Sequence, residues 1–363
     1  MKLPVVASLA QRMEGRDRDG ENNFLLIRLL AATSVLVGHA YALAPLHCET
    51  CKEPLKAAGG PVPINGLGVL VFFTISGFLI LRSALKHDVA SYLRSRLLRV
   101  APALMICALL TAFVLGPAFT SLSLRDYLAS SGVYEYLGKI VLYFRHAPFE
   151  LPGVVFTATA HGRGVNGSLW TIPLEVRLYV LALVAGVVVR VTRAPALVPV
   201  LALILLAACF DMSWIVPNED GYRLAWAFAL GSVMYATRAW LPMHGGIAGG
   251  LLIAWWVCRD QPVGIALFLV ATAYATIYAA FLPPLRLPNW VNDYSYGIYL
   301  YGFPLQQVLG ALFPGLGPYS LMGASIPVVW LAGAASWYGV EARCLRRKTR
   351  RGPVAEELRQ YTS

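Results

Sequence analysis

Apolar stretches of about 20 residues recur along this chain of 363 residues, and each is long enough to cross the hydrocarbon core of a bilayer as one helix. Hydrophobic residues make up 58% of the sequence and charged residues 13%. This hydrophobic share is higher than the core of a soluble protein requires. A backbone in lipid must satisfy its own hydrogen bonds, so the stretches predict an all-α, polytopic transmembrane bundle. We expect about ten spans, at residues 24–44, 66–85, 97–118, 171–189, 195–210, 222–237, 245–258, 263–281, 291–311 and 321–341.

The basic residues favour one orientation of this bundle. Most of the 30 Lys and Arg residues fall in segments that face the cytoplasm when both termini lie inside. We therefore expect a cytoplasmic N-terminal tail at 1–23, a transmembrane domain at 24–341 and a basic cytoplasmic tail at 342–363. The formal charge of +11 is spread over the ends of spans, which argues against nucleic-acid binding. The outward stretch 119–170 is long enough to hold a re-entrant or interfacial helix around YLGKIVLYF.

The first span carries two ionisable side chains, Arg28 and His39. At about 100° per residue they return to nearly the same helix face, displaced by roughly 16 Å along the axis. Snorkelling to the headgroups would explain Arg28 alone, and helix packing would explain His39 alone. The aligned pair is better explained by one polar groove, because ionisable groups in spans are costly and usually face a functional interior.

A second basic group lies at the start of the third span, in SYLRSRLLRVAPAL. Arg96 and Arg99 are three residues apart and share a helix face, with Arg94 beside them. Anchoring at the cytoplasmic interface explains Arg94 and is the alternative for the other two. Because guanidinium forks bind phosphate oxygens in bidentate fashion, Arg96 and Arg99 are also a candidate site for a phosphorylated ligand.

The stretch NGSLWTIPLEVRLYV places polar side chains at the start of the fourth span. Trp170 fits an interfacial anchor, and Glu175 lies in the first turn of a helix that Pro173 starts. The helix dipole favours a carboxylate there, which is the structural alternative to a functional role. Arg177 and Tyr179 follow within the hydrocarbon zone. An acid, a base and a tyrosine in quick succession favour a polar site over a lipid-facing surface.

Five motifs, in order along the chain, resemble those of the acyltransferase-3 family. They are the Arg28 to His39 spacing, FFTISGFLI, RLLRVAP, GSLWTIPLEVRLYV and YSYGIYLYGFPLQQ, and they extend from about residue 24 to 340. Each motif is weak alone, but five in the same order are specific. The resemblance implies an integral enzyme of a bacterial inner membrane. Such an enzyme moves an acyl group, usually acetyl from acetyl-coenzyme A on the cytoplasmic side, to a hydroxyl of an envelope or exported saccharide.

The same resemblance implies roles for individual residues. His39 corresponds to the catalytic histidine and Arg28 to its motif partner, which we also expect at the donor site. Arg96 and Arg99 match the motif associated with the donor. Glu175 matches the acidic position of the fourth span and, counted from the outer end of that span, should approach the level of His39. We expect the saccharide to contact Trp170, Arg177 and Tyr179.

Two chemical routes stay open at this point. His39 could take the proton of the acceptor hydroxyl as a general base, or it could carry the acetyl group covalently. Tyr301 and Gly302 stand where many family members have Trp-His, so we assign no role there. The alternative function is a transporter or flippase that moves a glycan or lipid through the same groove, although the chain shows no convincing internal repeat.

Metal and dinucleotide sites are not expected. HCETC offers only Cys48, Cys51 and one histidine, too few ligands for zinc, although the two cysteines could form a local disulfide on the outer side. GRGVNG fits a dinucleotide-binding pattern but lacks the preceding strand and the βαβ setting. Acetyl-coenzyme A therefore enters only as the donor substrate, and we expect no metal.

Overall fold

The computed structural model describes residues 7–16, 21–44, 51–142, 149–194, 197–198, 200–202 and 219–349. Helices dominate these ranges, and the extended pairings in them are two isolated bridges, Ser8 to Pro242 and Thr120 to Val154. The prediction of an all-α bundle is confirmed. In chain order the helices are α1 Leu9–Met13, α2 Phe24–Leu43, α3 Pro54–Ala57, α4 Ile64–Lys86, α5 Val89–Leu110, α6 Gly116–Phe119, α7 Leu124–Ala129, α8 Ser131–Leu142, α9 Thr171–Thr192, α10 Glu219–Ala236, α11 Gly245–Cys258, α12 Gly264–Ala280, α13 Ser295–Leu312, α14 Pro318–Ser336 and α15 Ala342–Thr349.

Several helical segments of the described chain are long and apolar enough to cross a membrane. Large apolar side chains such as Val114, Val184 and Leu331 remain exposed on their outer faces, as contact with lipid tails requires. α11 and α12 are apolar but shorter. The count of ten spans stays a prediction, and most of the span expected at 195–210 lies outside the described residues. The five long segments are Phe24–Leu43, Ile64–Lys86, Val89–Phe119, Gly167–Thr192 and Pro318–Arg346.

Helix starts follow local chemistry. Ser8, Asp88 and Ser123 precede α1, α5 and α7, and the side chain of each accepts a hydrogen bond from an amide of the first turn. The stretch 119–170 contains α7 and α8, and α8 covers most of YLGKIVLYF, where the sequence allows a re-entrant or interfacial helix.

The centre of the bundle is α4, which packs against α2, α9, α10 and α12. Its crossing with α10 is close because glycine stands on both sides. A Cβ atom on Gly77 would lie 1.9 Å from the Phe228 carbonyl oxygen, and one on Gly231 would lie 2.1 Å from the Thr74 carbonyl oxygen. Small residues at such crossings let two helix backbones approach, as in other membrane bundles.

Three helices, α2, α5 and α13, run in the same direction and define the two ends of the site. Arg28 near the start of α2 and Arg99 midway along α5 both lie beside Asp293, in the turn before α13. Further along, the Cys107 thiol donates a hydrogen bond of 3.5 Å to the Leu300 carbonyl oxygen. We call the side where these helices begin the Arg28 end. The opposite side, where α2 finishes, is the His39 end.

Two of the long helices contain a π-helical turn. Thr111–Leu115 continues α5, and Trp337–Glu341 continues α14. A π turn holds one residue more than an α turn, and such turns often mark functional sites. In the second case the turn leaves Glu341 only 2% exposed.

Candidate active site

Asp293 is the centre of a charged cluster at the Arg28 end. Its Oδ2 lies 2.5 Å from Nη2 of Arg99 and 3.4 Å from Nη2 of Arg28, which belong to two different helices. Ser295 donates a hydrogen bond of 2.5 Å to Oδ1. Burial alone would raise the pKa of Asp293, but the two guanidinium groups and these hydrogen bonds lower it to about 2. The carboxylate therefore stays charged at physiological pH.

Arg99 also reaches a second carboxylate. Its Nη1 lies 3.7 Å from Oε2 of Glu341, and Ser336 donates a hydrogen bond of 2.9 Å to the other oxygen of that carboxylate. The guanidinium carbon lies 5.8 Å from the ring centre of Trp337, within the range of a cation–π contact. Arg99 is thus held between two acids and an aromatic ring.

Glu175 joins the same cluster. It accepts a hydrogen bond from the Tyr179 hydroxyl, since residues four apart on α9 share a helix face. Arg96 and Arg99 lie near enough to act on its carboxylate electrostatically. The sequence argument placed Glu175 level with His39, whereas these contacts place it with the arginines. Its catalytic role stays a prediction.

Arg96 differs from Arg99 in its surroundings. It is partly exposed, and its Nε donates a hydrogen bond of 3.2 Å to the Ser95 hydroxyl. Within the described part of the chain no carboxylate lies at ion-pair distance from it. The two arginines that the sequence treats as one pair therefore have different electrostatic partners.

At the other end of α2, the imidazole of His39 packs edge-to-face against Phe303. The ring centres are 5.3 Å apart at an angle of 83°. The Nδ1 atom is buried and has no hydrogen-bond partner among the described residues. Arg28 and His39 both contact the segment formed by Asp293 and α13, so the two side chains share a face of α2.

A loop at residues 149–166, here called the strap, is fastened to the bundle by Gln307. The Gln307 amide nitrogen donates to the carbonyl oxygens of His161 and Gly164, at 2.9 and 2.7 Å. Its amide oxygen accepts a hydrogen bond of 2.6 Å from the Thr159 hydroxyl. One side chain of α13 therefore fixes three positions of the strap.

The strap also contacts α2 close to the histidine. The Ala160 amide donates a hydrogen bond of 3.0 Å to the Leu43 carbonyl oxygen, one turn beyond His39. The neighbouring His161 is exposed, and it lies near enough to act on the His39 imidazole electrostatically. The strap therefore forms one wall of the His39 end.

A proline links two motifs that the sequence presents separately. Pro304 has no N–H, so the carbonyl oxygen of Leu300 lacks its helical partner. The Asn166 side chain donates a hydrogen bond of 3.0 Å to that oxygen. The amide oxygen of the Asn166 side chain accepts a hydrogen bond of 3.2 Å from the Ser168 backbone amide and caps the short 3₁₀ turn before α9. Asn166 thus joins the start of α9 to the kink in α13.

The three residues that the sequence predicts to contact a saccharide lie in different surroundings. Trp170 packs against the apolar cluster around α4 and α9, and Arg177 lies partly exposed on α9. Tyr179 serves as the partner of Glu175. Their roles toward a saccharide stay predictions. Cys51 is disulfide-bonded, and Cys48 lies outside the described residues.

Sequence reasoning missed four residues of the site: Asp293, Glu341, His161 and Gln307. Asp293 and Glu341 are acidic residues at the edges of apolar segments that carry few other acids. That position was the sequence signal that could have identified them. Their pairing with Arg99 depends on which helices become neighbours. Nothing in the local sequence marks Gln307 as the residue that holds the strap. Among the described residues, no group of three His, Cys, Asp or Glu side chains is arranged to hold a metal ion.

Comparison with known proteins agrees with this architecture. The family model for the acyltransferase domain matches residues 22–338, which include both ends of the site. The chain belongs to the acyltransferase-3 family. The acyltransferase is 30% identical over 346 residues to a protein of Shigella phage Sf6 named O-acetyl transferase, covering 90% of this chain and 97% of that protein. It is 28% identical over 371 residues to Nodulation protein 10 of Rhizobium leguminosarum bv. viciae, covering 90% and 94%. No solved structure matches it significantly.

Proposed function

We propose that this acyltransferase moves an acetyl group from cytoplasmic acetyl-coenzyme A to a hydroxyl of a saccharide outside a bacterial inner membrane. The name of the phage relative supports both the acetyl group and the oxygen acceptor. The observation that carries the proposal is the position of His39. Its buried Nδ1 has no partner among the described residues, and about 16 Å of the same helix separates it from an arginine-rich cluster.

The donor phosphates would bind at the Arg28 end. Arg96 is the best candidate for a direct phosphate contact, because its guanidinium has no carboxylate at ion-pair distance in the described chain. Arg28 and Arg99 are already held by Asp293 and would shape the mouth of the donor site. From there the pantetheine arm would run along α2 and bring the thioester to His39.

The transfer balances by either of two routes. As a general base, His39 takes the proton of the saccharide hydroxyl while the hydroxyl oxygen attacks the thioester carbonyl. The C–S bond then breaks, and the proton passes to the coenzyme A thiolate. As a carrier, the imidazole nitrogen attacks first, and the C–S bond breaks to release the coenzyme A thiolate. The hydroxyl oxygen then takes the acetyl group from the nitrogen, which restores the histidine, and the hydroxyl proton passes to that thiolate or to water. Arg28 lies too far along α2 to stabilise the oxyanion, so its role in catalysis would be at the donor.

The orientation follows from the basic residues. With both termini cytoplasmic, the Arg28 end faces the cytoplasm, where acetyl-coenzyme A is made, and the His39 end faces outward, where the saccharide lies. Glu175, paired with Tyr179, would sit on the donor side of the reacting carbonyl and tune the arginines that hold the phosphates. Trp170, Arg177 and Tyr179 remain candidates for the saccharide.

Reconstitution in liposomes tests this function. The wild type and His39→Ala would be supplied with radiolabelled acetyl-coenzyme A and with bacterial surface polysaccharide that mild base has freed of its O-acetyl groups. We expect base-labile label on the polysaccharide with the wild type only, and only when the donor is on the side of the Arg28 end. Intact acetyl-coenzyme A after incubation with the wild type, or equal transfer by His39→Ala, would refute the proposal.

A further inference from the structure

A cleft of about 450 Å³ opens beside the strap, away from the residues assigned to catalysis. One wall is α8, which contributes Glu135 and Lys139, and the other is the strap, which contributes Glu150 and Arg163. Pro152 and Val155 add aliphatic surface between them. The cleft therefore combines charged groups with apolar patches.

The scaffold of the cleft is well packed. Tyr136, Leu151 and Val154 lie beneath it and are at most 4% exposed, within an apolar cluster that α7, α8 and the strap share. Val154 also forms an isolated bridge with Thr120. The walls are thus positioned by a buried core, and the cleft is preformed.

The charges of the walls are only partly neutralised. Lys139 and Glu135 form an ion pair at 3.2 Å. Glu150 and Arg163 are exposed, and neither makes a hydrogen bond or an ion pair within the described part of the chain. Among the described residues, one carboxylate and one guanidinium of the cleft are therefore without a partner.

This combination suits a hydroxyl-rich ligand. A carboxylate accepts hydrogen bonds from sugar hydroxyls, a guanidinium donates to sugar oxygens, and the C–H faces of a sugar ring pack on aliphatic side chains. The net charge of the four wall residues is zero. A phosphorylated ligand such as coenzyme A would need an excess of positive charge, so the cleft favours a neutral saccharide.

The strap connects the cleft to the histidine. Arg163 lines the cleft and is two residues from His161. The carbonyl oxygen of His161 is held by Gln307, and its side chain lies near enough to act electrostatically on the His39 imidazole. Both lie at the His39 end, because α8 and the strap pack around the end of α5 and residue Ala311 of α13. A saccharide in the cleft would lie beside the path to the histidine.

We propose that the cleft between α8 and the strap is an acceptor subsite, which binds a sugar unit next to the one that receives the acetyl group. The acyltransferase then selects an oligosaccharide over a free monosaccharide. This inference rests on the proposed function and deepens it, since it assigns the acceptor a binding place that is separate from His39.

Binding and kinetics together test the subsite. The probe is a fluorescently labelled oligosaccharide of several repeat units, prepared from the de-O-acetylated polysaccharide, with the corresponding monosaccharides for comparison. Arg163→Ala and Glu150→Gln should each raise the Kd and the acceptor KM by on the order of tenfold, since each removes a charge-assisted hydrogen bond. The kcat and the KM for acetyl-coenzyme A should not change. Val155→Trp should block the probe by filling the cleft while keeping the charges.

Arg125→Ala is the matched control, because Arg125 is exposed on α7 but does not line the cleft. Thermal unfolding in detergent checks that each variant is folded. An unchanged Kd in Arg163→Ala and Val155→Trp, or no preference for the oligosaccharide over monosaccharides, would overturn the subsite. If the proposed function failed instead, the probe would still bind in a cleft-dependent way, but the wild type would transfer no acetyl group to it.

Discussion

His39 presents a buried ring nitrogen without a hydrogen-bond partner in the described chain. Leaving a buried polar atom unsatisfied costs about 1–3 kcal/mol, so proteins rarely keep one without a use. The edge-to-face contact with Phe303 fixes the plane of the imidazole while leaving Nδ1 uncommitted. A substrate atom that met this nitrogen would remove the penalty, and this makes the ring a better candidate for chemistry than for packing.

Replacement of His39 by alanine should reduce acetyl transfer by at least about 100-fold, the low end of the contribution of a positioned general base. Coenzyme A binding should remain near that of the wild type, because Arg28, which marks the donor end, lies about 16 Å away along α2. Radiolabel transfer and calorimetric titration with coenzyme A measure the two quantities. Normal turnover in His39→Ala would remove the residue from the mechanism.

Arg96 and Arg99 should respond differently to alanine substitution. Arg96→Ala should weaken acetyl-coenzyme A binding by about tenfold and flatten its salt dependence, because a partly exposed phosphate contact is lost. Arg99→Ala should instead destabilise the fold by about 3 kcal/mol, since it leaves the buried Glu341 without its counter-ion.

Donor titrations at two salt concentrations and thermal unfolding in detergent separate these effects, with Arg94→Ala as the exposed neighbouring control. Equal loss of donor affinity in Arg96→Ala and Arg99→Ala, with unchanged stability in both, would contradict the assignment.

The ionisable residues of the site were predictable only where they interrupt an apolar span. Arg28, His39 and Glu175 stand out for this reason, since each would be costly in lipid. Asp293 did not, because it lies in a polar turn where an acid is ordinary. Its importance arises from the two arginines that the fold brings to it, and no local pattern encodes that choice.

At the scale of helices, Pro304 and Asn166 form one structural unit. The proline frees the Leu300 carbonyl oxygen, and the asparagine satisfies it from another part of the chain. This contact fixes how the kink in α13 faces the start of α9. Sequence analysis found both motifs, but it could not pair them, because more than 100 residues separate the asparagine from the carbonyl.

A double-mutant cycle tests this unit. Asn166→Ala alone should lower the free energy of unfolding by about 1–3 kcal/mol, since it leaves the buried Leu300 carbonyl with the weak thiol donor of Cys107 in place of the amide. Pro304→Ala restores an N–H for that carbonyl, so Asn166→Ala should cost about 1 kcal/mol less in the Pro304→Ala background. Unfolding in mild detergent measures the four proteins. Strictly additive costs would show that the two residues act independently.

Helix type and approximate span positions were predictable, because length and apolarity determine them. The structure begins α13 at Ser295, a few residues after the span expected from 291, and leaves Asp293 in the preceding turn. The π turns were not predictable from composition, since the first four residues of Trp337–Glu341 are as apolar as the helix before them. Only packing against Arg99 distinguishes its last residue.

Across the whole molecule, Asp293 ties together helices that are distant in sequence. Through Arg28 it holds α2, through Arg99 it holds α5, and through the contact of Arg99 with Glu341 it reaches the continuation of α14. Its side chain is 12% exposed, so the pairs are only partly screened. The cluster therefore holds these helices together at the Arg28 end of the bundle.

Asp293→Asn should destabilise the acyltransferase by about 3 kcal/mol, because two guanidinium groups lose their shared carboxylate. The folded pKa of about 2 lies below the unfolded value of about 3.9, so the contribution is full above that unfolded value and is lost as the pH falls toward 2. The difference in Tm between wild type and variant should thus narrow as the pH falls below about 4. A difference that did not narrow between about pH 5 and pH 3 would assign the stabilisation to another group.

The π turn at Trp337–Glu341 behaves as a one-residue insertion in an otherwise continuous helix. Deleting one residue there would restore the α-helical repeat, and because the wider turn already absorbs its extra residue, the helix that follows would keep nearly the same direction. The basic residues of α15 would then stay on their face, and the acid would stay beside Arg99. Relatives that align with a single-residue gap in this turn are therefore expected to keep the acid, so that the charge is inherited while the length of the turn varies.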